Sequence, residues 1–186
     1  ELRRAERRAA QGTTQQQLPD VSPLFTVFCT ETLGVELSPG QRVFAKVAFD
    51  NWEPCDLLGE ERQLARDIFG ADVERIPAEQ RATIALVAGA RGGKTSRLGA
   101  YKLVHAMFVR DLSSLAPGQR AVALAVAPND DLRQEIVNYA IGVIRASSLA
   151  PSLVLPKGTK ADAQVSRFAC RRNDGHIVSF RCAVAT

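Results

Sequence analysis

The chain has 186 residues, of which 46% are hydrophobic and 24% charged, which is ordinary for a soluble globular protein and long enough for one domain with a real core. No apolar run approaches the roughly 18–20 residues of a membrane span, and the charged, Gln-rich opening is not a signal peptide. A net charge of +4 and a pI near 9.1 suit a polyanionic partner without requiring one.

Residues 1–23 read as an arm. Arg3, Arg4, Arg7 and Arg8 lie in an Arg/Glu/Ala opening suited to a short helix, and Gly12 to Gln17 read as a flexible linker. The chain starts on Glu1 rather than Met, which reads as a fragment or a trimmed chain. Residues 24–186 are expected to form one α/β domain. Ser38-Pro39-Gly40-Gln41 has the chemistry of a helix start, with Ser38 as N-cap, Pro39 at the first helical position and Gln41 completing a capping box. Val43, Phe44, Val47 and Ala48 then share one face, and Trp52 and Pro54 end the helix. A second helix is predicted from Gly59 to Phe69, with Leu64, Ala65 and Ile68 inward and Gly70 as its stop.

The most informative stretch follows. Thr83-Ile-Ala-Leu-Val-Ala-Gly-Ala-Arg-Gly-Gly-Lys-Thr-Ser96 is a β-prone apolar run, a Gly-rich turn, then the start of a helical pattern. A strand–turn–helix of this kind cradles phosphates. Backbone N–H groups of Gly89, Ala90, Arg91, Gly92 and Gly93 face the anion, Lys94 reaches the outer phosphates, and the Thr95 hydroxyl suits Mg²⁺. Ser96 assists or simply opens the helix, whose dipole adds positive potential. The motif is a variant of Gly-x4-Gly-Lys-Ser/Thr, because Ala88 holds the first glycine position and Gly89 follows it. The alternative is a Gly-rich strand-to-helix turn with a surface lysine.

Beyond Thr95 the pattern is helical to about Leu112, with Leu98, Leu103, Val104, Met107, Phe108 and Leu112 on the core face. After a loop from Ser113 to Gly118, Ala121 to Ala127 is a continuous apolar run, predicted as a strand of a parallel sheet buried on both faces. Asp130 or Asp131 is expected to cap the next helix, which carries Leu132, Ile136, Tyr139, Ala140 and Val143 and ends before Pro151. Strand, helix, strand, helix makes a βαβ unit. Runs from Arg167 to Arg172 and from His176 to Cys182, around Asn173-Asp174-Gly175, predict a β-hairpin. Cys29, Cys55, Cys170 and Cys182 show no metal-binding spacing. Lys157, Lys160, Arg167, Arg171, Arg172 and Arg181 cluster late in the chain, either as solvated surface or as phosphate contacts.

Taken in order, Leu37 to Phe44, Val87 to Thr95, Val122 to Pro128 with its following helix, and the Asn-Asp-Gly hairpin resemble the ATPase domain of phage terminase large subunits, the motors that package double-stranded DNA. The resemblance covers most of residues 37–186, and only the phosphate-binding motif is specific by itself. It implies a P-loop ATPase fold with an appended hairpin, ATP and Mg²⁺ as ligands, and Gln41 at the adenine, a role compatible with capping. Lys94 and Arg91 are the implied catalytic residues. The family often has a basic residue where this chain has Ala90; Arg91, one position later, either takes over a role at the γ-phosphate or is a solvent-facing loop residue. The resemblance further implies double-stranded DNA, a portal protein and a terminase small subunit as partners, a homo-oligomeric ring, no membrane, and the host cytoplasm as location. No apolar strand ending in Asp-Glu follows the hairpin, so the chain is expected to stop before the Walker B motif, with the family's nuclease domain outside it. These residues alone are therefore expected to bind ATP weakly and hydrolyse it poorly. Two other readings stay open: a helicase-like P-loop ATPase acting on nucleic acid, and a catalytically silent nucleotide-binding assembly module.

Overall fold

The computed structural model describes residues 17–77, 84, 98–116, 119–156, 165 and 167–185. Within them the chain is mixed α/β, a four-stranded sheet with helices packed against it. A short helix α1 (Phe25–Val27) runs on into a π-helical turn at Phe28–Thr32, and Phe25 and Phe28 are fully buried. Helix α2 (Pro39–Ala48) begins as its sequence demands: Ser38 Oγ accepts from the Gln41 N–H, and Gln41 Oε1 accepts from the Ser38 N–H at 3.1 Å. Helix α3 (Gly59–Phe69) stops at Gly70, whose φ of +91° is open to glycine and strained for other residues. Ala65 of this helix is buried, but Ile68 is 40% exposed, so the predicted inward stripe of α3 is narrower than its apolar residues suggested.

Helix α4 (Tyr101–Val109) ends three residues before Leu112. It buries Val104, His105, Met107 and Phe108. Strand β1 (Ala121–Ala127) leads into helix α5 (Asp130–Ala146). The cap of α5 is Asn129, not Asp130 or Asp131. Its backbone is extended (φ −153°, ψ 171°), and its Oδ1 accepts from the Leu132 N–H at 2.9 Å, so the two aspartates become first-turn residues favoured by the helix dipole. Tyr139, one of the apolar-patterned residues of this helix, lies outward and donates to Glu135.

A two-residue strand β2 (Leu153–Val154) precedes the hairpin of β3 (Arg167–Arg171) and β4 (Ile177–Val184). The hairpin closes as predicted. The Arg172 N–H donates to His176 O, and Gly175 takes φ +83° in the three-residue connection. The strand order is β1-β4-β3-β2, with β1 parallel to β4 and both other pairings antiparallel.

Helices α4 and α5 both pack on one face of this sheet. On that face lie Ala125, Ala127, Phe168, Cys170, Val178, Phe180 and Cys182, all buried. The other face is open: Val122, Leu124 and Val126 are 45%, 57% and 61% exposed. The expectation that β1 is buried on both faces is therefore wrong for the described residues. An unbroken apolar run meant only that both sets of side chains are apolar, not that both are covered. A second, smaller core joins Val43, Val47, Leu57, Ala65 and Val73 between α2 and α3.

Candidate functional site

The residues predicted to hold phosphate, Gly89, Ala90, Arg91, Gly92, Gly93, Lys94, Thr95 and Ser96, lie outside the described residues. So do Arg3, Arg4, Arg7, Arg8, Lys157 and Lys160 of the basic clusters. Of the predicted site, Gln41 is described, and its Oε1 is used in the capping box. Arg172 is structural: it donates to Arg110 O at 2.7 Å, at the end of α4, and pairs with Asp174 at 2.8 Å.

Next in the chain, residues 98–100 are helical and continue into α4. Helix α4 belongs to a buried polar cluster that sequence reasoning did not find. Asp50, two residues past the end of α2, accepts from the Phe25 N–H, the Thr26 N–H at 3.0 Å and the Thr26 hydroxyl at 2.6 Å. It thus caps α1 from a distance, satisfying orphan donors of the first turn. The Lys102 ammonium lies 5.4 Å from the Phe25 ring centroid and 4.9 Å from that of Phe49, and 3.3 Å from His105 Nδ1. His105 Nε2 lies 3.0 Å from the Ser22 carbonyl. That carbonyl can only accept, so the proton sits on Nε2, and Nδ1 is left to accept from Lys102.

The electrostatics follow from burial. His105 is pushed down to about 4, chiefly by burial and then by the neighbouring Lys102 ammonium. Burial also lowers Lys102, while the Asp50 carboxylate pulls it back up. The Cys29 thiol is pushed up to about 12, first by burial and then by Asp50, and burial takes Cys170 to about 12 as well. These thiols stay protonated and unreactive at neutral pH. Asp50, Lys102 and His105 are each engaged with protein groups, so the cluster clamps the segment around Ser22–Thr26 to α4 rather than offering a reactive group. A second tie holds the same segment, because Asn173 in the hairpin turn exchanges two hydrogen bonds with the Leu18 backbone.

An open concavity of about 470 Å³ lies beside α2, lined by Asn51, Trp52, Glu53 and Asp56. Lys46 already covers one face of the Trp52 ring at 4.8 Å. Among the described residues no group of three or more His, Cys, Asp or Glu is placed to hold a metal. Nor is any helix among them long and apolar enough to cross a membrane. Only weak local signals marked the clamp in the sequence: a Lys and a His three apart on α4, and an Asp just past a helix end.

Comparison with protein-family models, with curated proteins and with solved structures gives no match for this chain.

Proposed function

We propose that this chain is the nucleotide-binding part of a P-loop ATPase, of the kind that drives DNA packaging in terminase large subunits. One observation carries the reading: Ala88-Gly-Ala-Arg-Gly-Gly-Lys-Thr-Ser96 stands between a β-prone run and a helix. Support comes from its surroundings. The residues after it are helical, and that helix packs on a sheet in which β1 and β4 run parallel. A capped helix then follows β1.

In this reading the N–H groups of residues 89–95 and the Lys94 ammonium hold the β- and γ-phosphates. Arg91 approaches the γ-phosphate, where charge develops during transfer. Mg²⁺ fits a donor set of one hydroxyl, Thr95, with phosphates and water completing its shell. Bound there, it neutralises phosphate charge. Gln41, whose Oε1 completes the capping box of α2, contacts adenine in this reading. By the same resemblance, double-stranded DNA, a portal protein and a small subunit are partners of a ring of such domains in the host cytoplasm.

The test is ligand-dependent stabilisation of the whole chain. With ATP and Mg²⁺ at about a hundred times the dissociation constant, stability rises by about 2.7 kcal/mol, seen as a thermal shift. Lys94→Ala abolishes that shift. A mutant that keeps the full shift, or a wild type with none at millimolar ATP, sinks the proposal.

A further inference from the structure

The open face of the sheet is built the wrong way round for a face meant for water. Along β1 the small residues, Ala121, Ala123, Ala125 and Ala127, point toward the helices, and the large ones, Val122, Leu124 and Val126, point outward. A half-solvated strand normally places polar side chains on that side. The register extends the pattern across the sheet. Val122, Ser179, Ala169 and Val154 form one row. In the next, Leu124 is followed by Arg181 and Arg167, which stand directly opposite one another on β4 and β3.

Both arginines are exposed, and among the described residues neither has a hydrogen bond or ion pair. None of the strand residues on this face is acidic. Like charges directly opposed across a strand pair are destabilising, and an exposed aliphatic stripe marks a contact surface. The sheet carries both at the same spot.

We propose that this face docks an amphipathic helix of a partner protein, apolar along one side and carrying Asp or Glu on the flank above Arg167 and Arg181. The dimensions agree. Val122 to Val126 spans about 13 Å of strand, the length of two to three helical turns. The two guanidiniums lie one and two strand spacings to the side, about 5 and 10 Å, within reach of carboxylates on a helix seated about 10 Å above the sheet. Arginine grips carboxylate with paired hydrogen bonds, which would turn the repulsive pair into an anchor at the rim of an apolar contact.

Single-stranded nucleic acid is disfavoured because the face has no aromatic side chain on which bases could stack. Strand addition uses sheet edges, not faces.

The probe is a synthetic helix of about four turns, Leu and Ala along one side and Glu on one flank, titrated into the whole chain with NMR shifts as readout. The same peptide with Lys for Glu, a short DNA duplex and anionic phospholipid vesicles run beside it. The Glu peptide is expected to shift Val122, Leu124, Val126 and Ser179. Arg167→Glu with Arg181→Glu weakens it at least about tenfold and transfers the preference to the Lys peptide. Arg167→Glu alone weakens the peptide yet raises the thermal midpoint by about 1–3 °C, because an attractive cross-strand pair replaces a repulsive one. A purely structural role for Arg167 cannot produce that combination. The proposal is overturned by equal binding of both peptides, by no binding of the Glu peptide, or by shifts elsewhere. Tighter binding of duplex or vesicles through the same arginines, or self-association through this face without peptide, overturns it too.

Discussion

The two faces of the sheet use the same strands to opposite ends. On the covered face the alanines of β1 let α4 and α5 come close, and Phe168 and Phe180, stacked at 4.7 Å between ring centroids, fill the space beside them. On the open face the larger aliphatics and two facing arginines stay exposed. The difference teaches that apolar content and burial are separate properties. A side chain is buried only where another element arrives to cover it, and among the described residues the helices on this sheet, α4 and α5, arrive from one side.

The contrast can be tested by substitution, and the largest effect belongs to the covered face. Phe180→Ala removes a fully buried ring and is expected to cost about 3–5 kcal/mol in urea unfolding. A loss below about 1 kcal/mol would mean that α4 and α5 do not seal that side.

Next comes the buried clamp under the same helices. His105 titrates near 4 in the folded chain and near 6.5 when unfolded. The groups facing it are Lys102 of its own helix, which opposes a second charge, with Asp50 and Cys29 close to that ammonium. Between those two pH values the unfolded chain binds a proton that the folded chain does not. Stability is therefore fully present above about 6.5, falls as the pH drops toward 4, and loses about 3 kcal/mol in all from this group. Urea midpoints measured from pH 7 to pH 4 should show that slope, superposed on the carboxylates. In His105→Leu this part of the slope should vanish, whatever the variant's absolute stability.

The smallest effect belongs to the open face. Val126→Thr is expected to change stability by no more than about 0.5 kcal/mol, because its side chain is 61% exposed. A cost several times larger would show that something covers β1 there.

Much of the local structure was legible in the chain, because it depends on neighbours in sequence. The capping box at Ser38, the bounds of α3 with Gly70 behind them, and the hairpin around Asn173-Asp174-Gly175 are set by torsions and hydrogen bonds within a few residues. Even so, the cap expected for α5, Asp130 or Asp131, lies one residue or more too late, because residue type alone does not say where the backbone turns helical. The extended backbone of Asn129 makes that residue the cap. Ile68 was misplaced because helical spacing says which residues share a face but not how wide a stripe the neighbour covers. The clamp was invisible for a different reason. It joins Asp50 to Phe25 and His105 to Ser22, pairs 25 and 83 positions apart, and no short pattern encodes such a meeting.

The sequence by itself determined where α2 begins, where α3 begins and stops at Gly70, and where the hairpin turns, since each rests on torsional preference or side-chain type over a few positions. Tertiary structure alone decided which face of β1 is covered, that β4 rather than β2 lies beside it, and that Asp50, Lys102 and His105 share one buried site. These outcomes depend on the order in which distant segments pack, and that order minimises exposed apolar area and unpaired polar groups over the whole fold rather than along any stretch of chain.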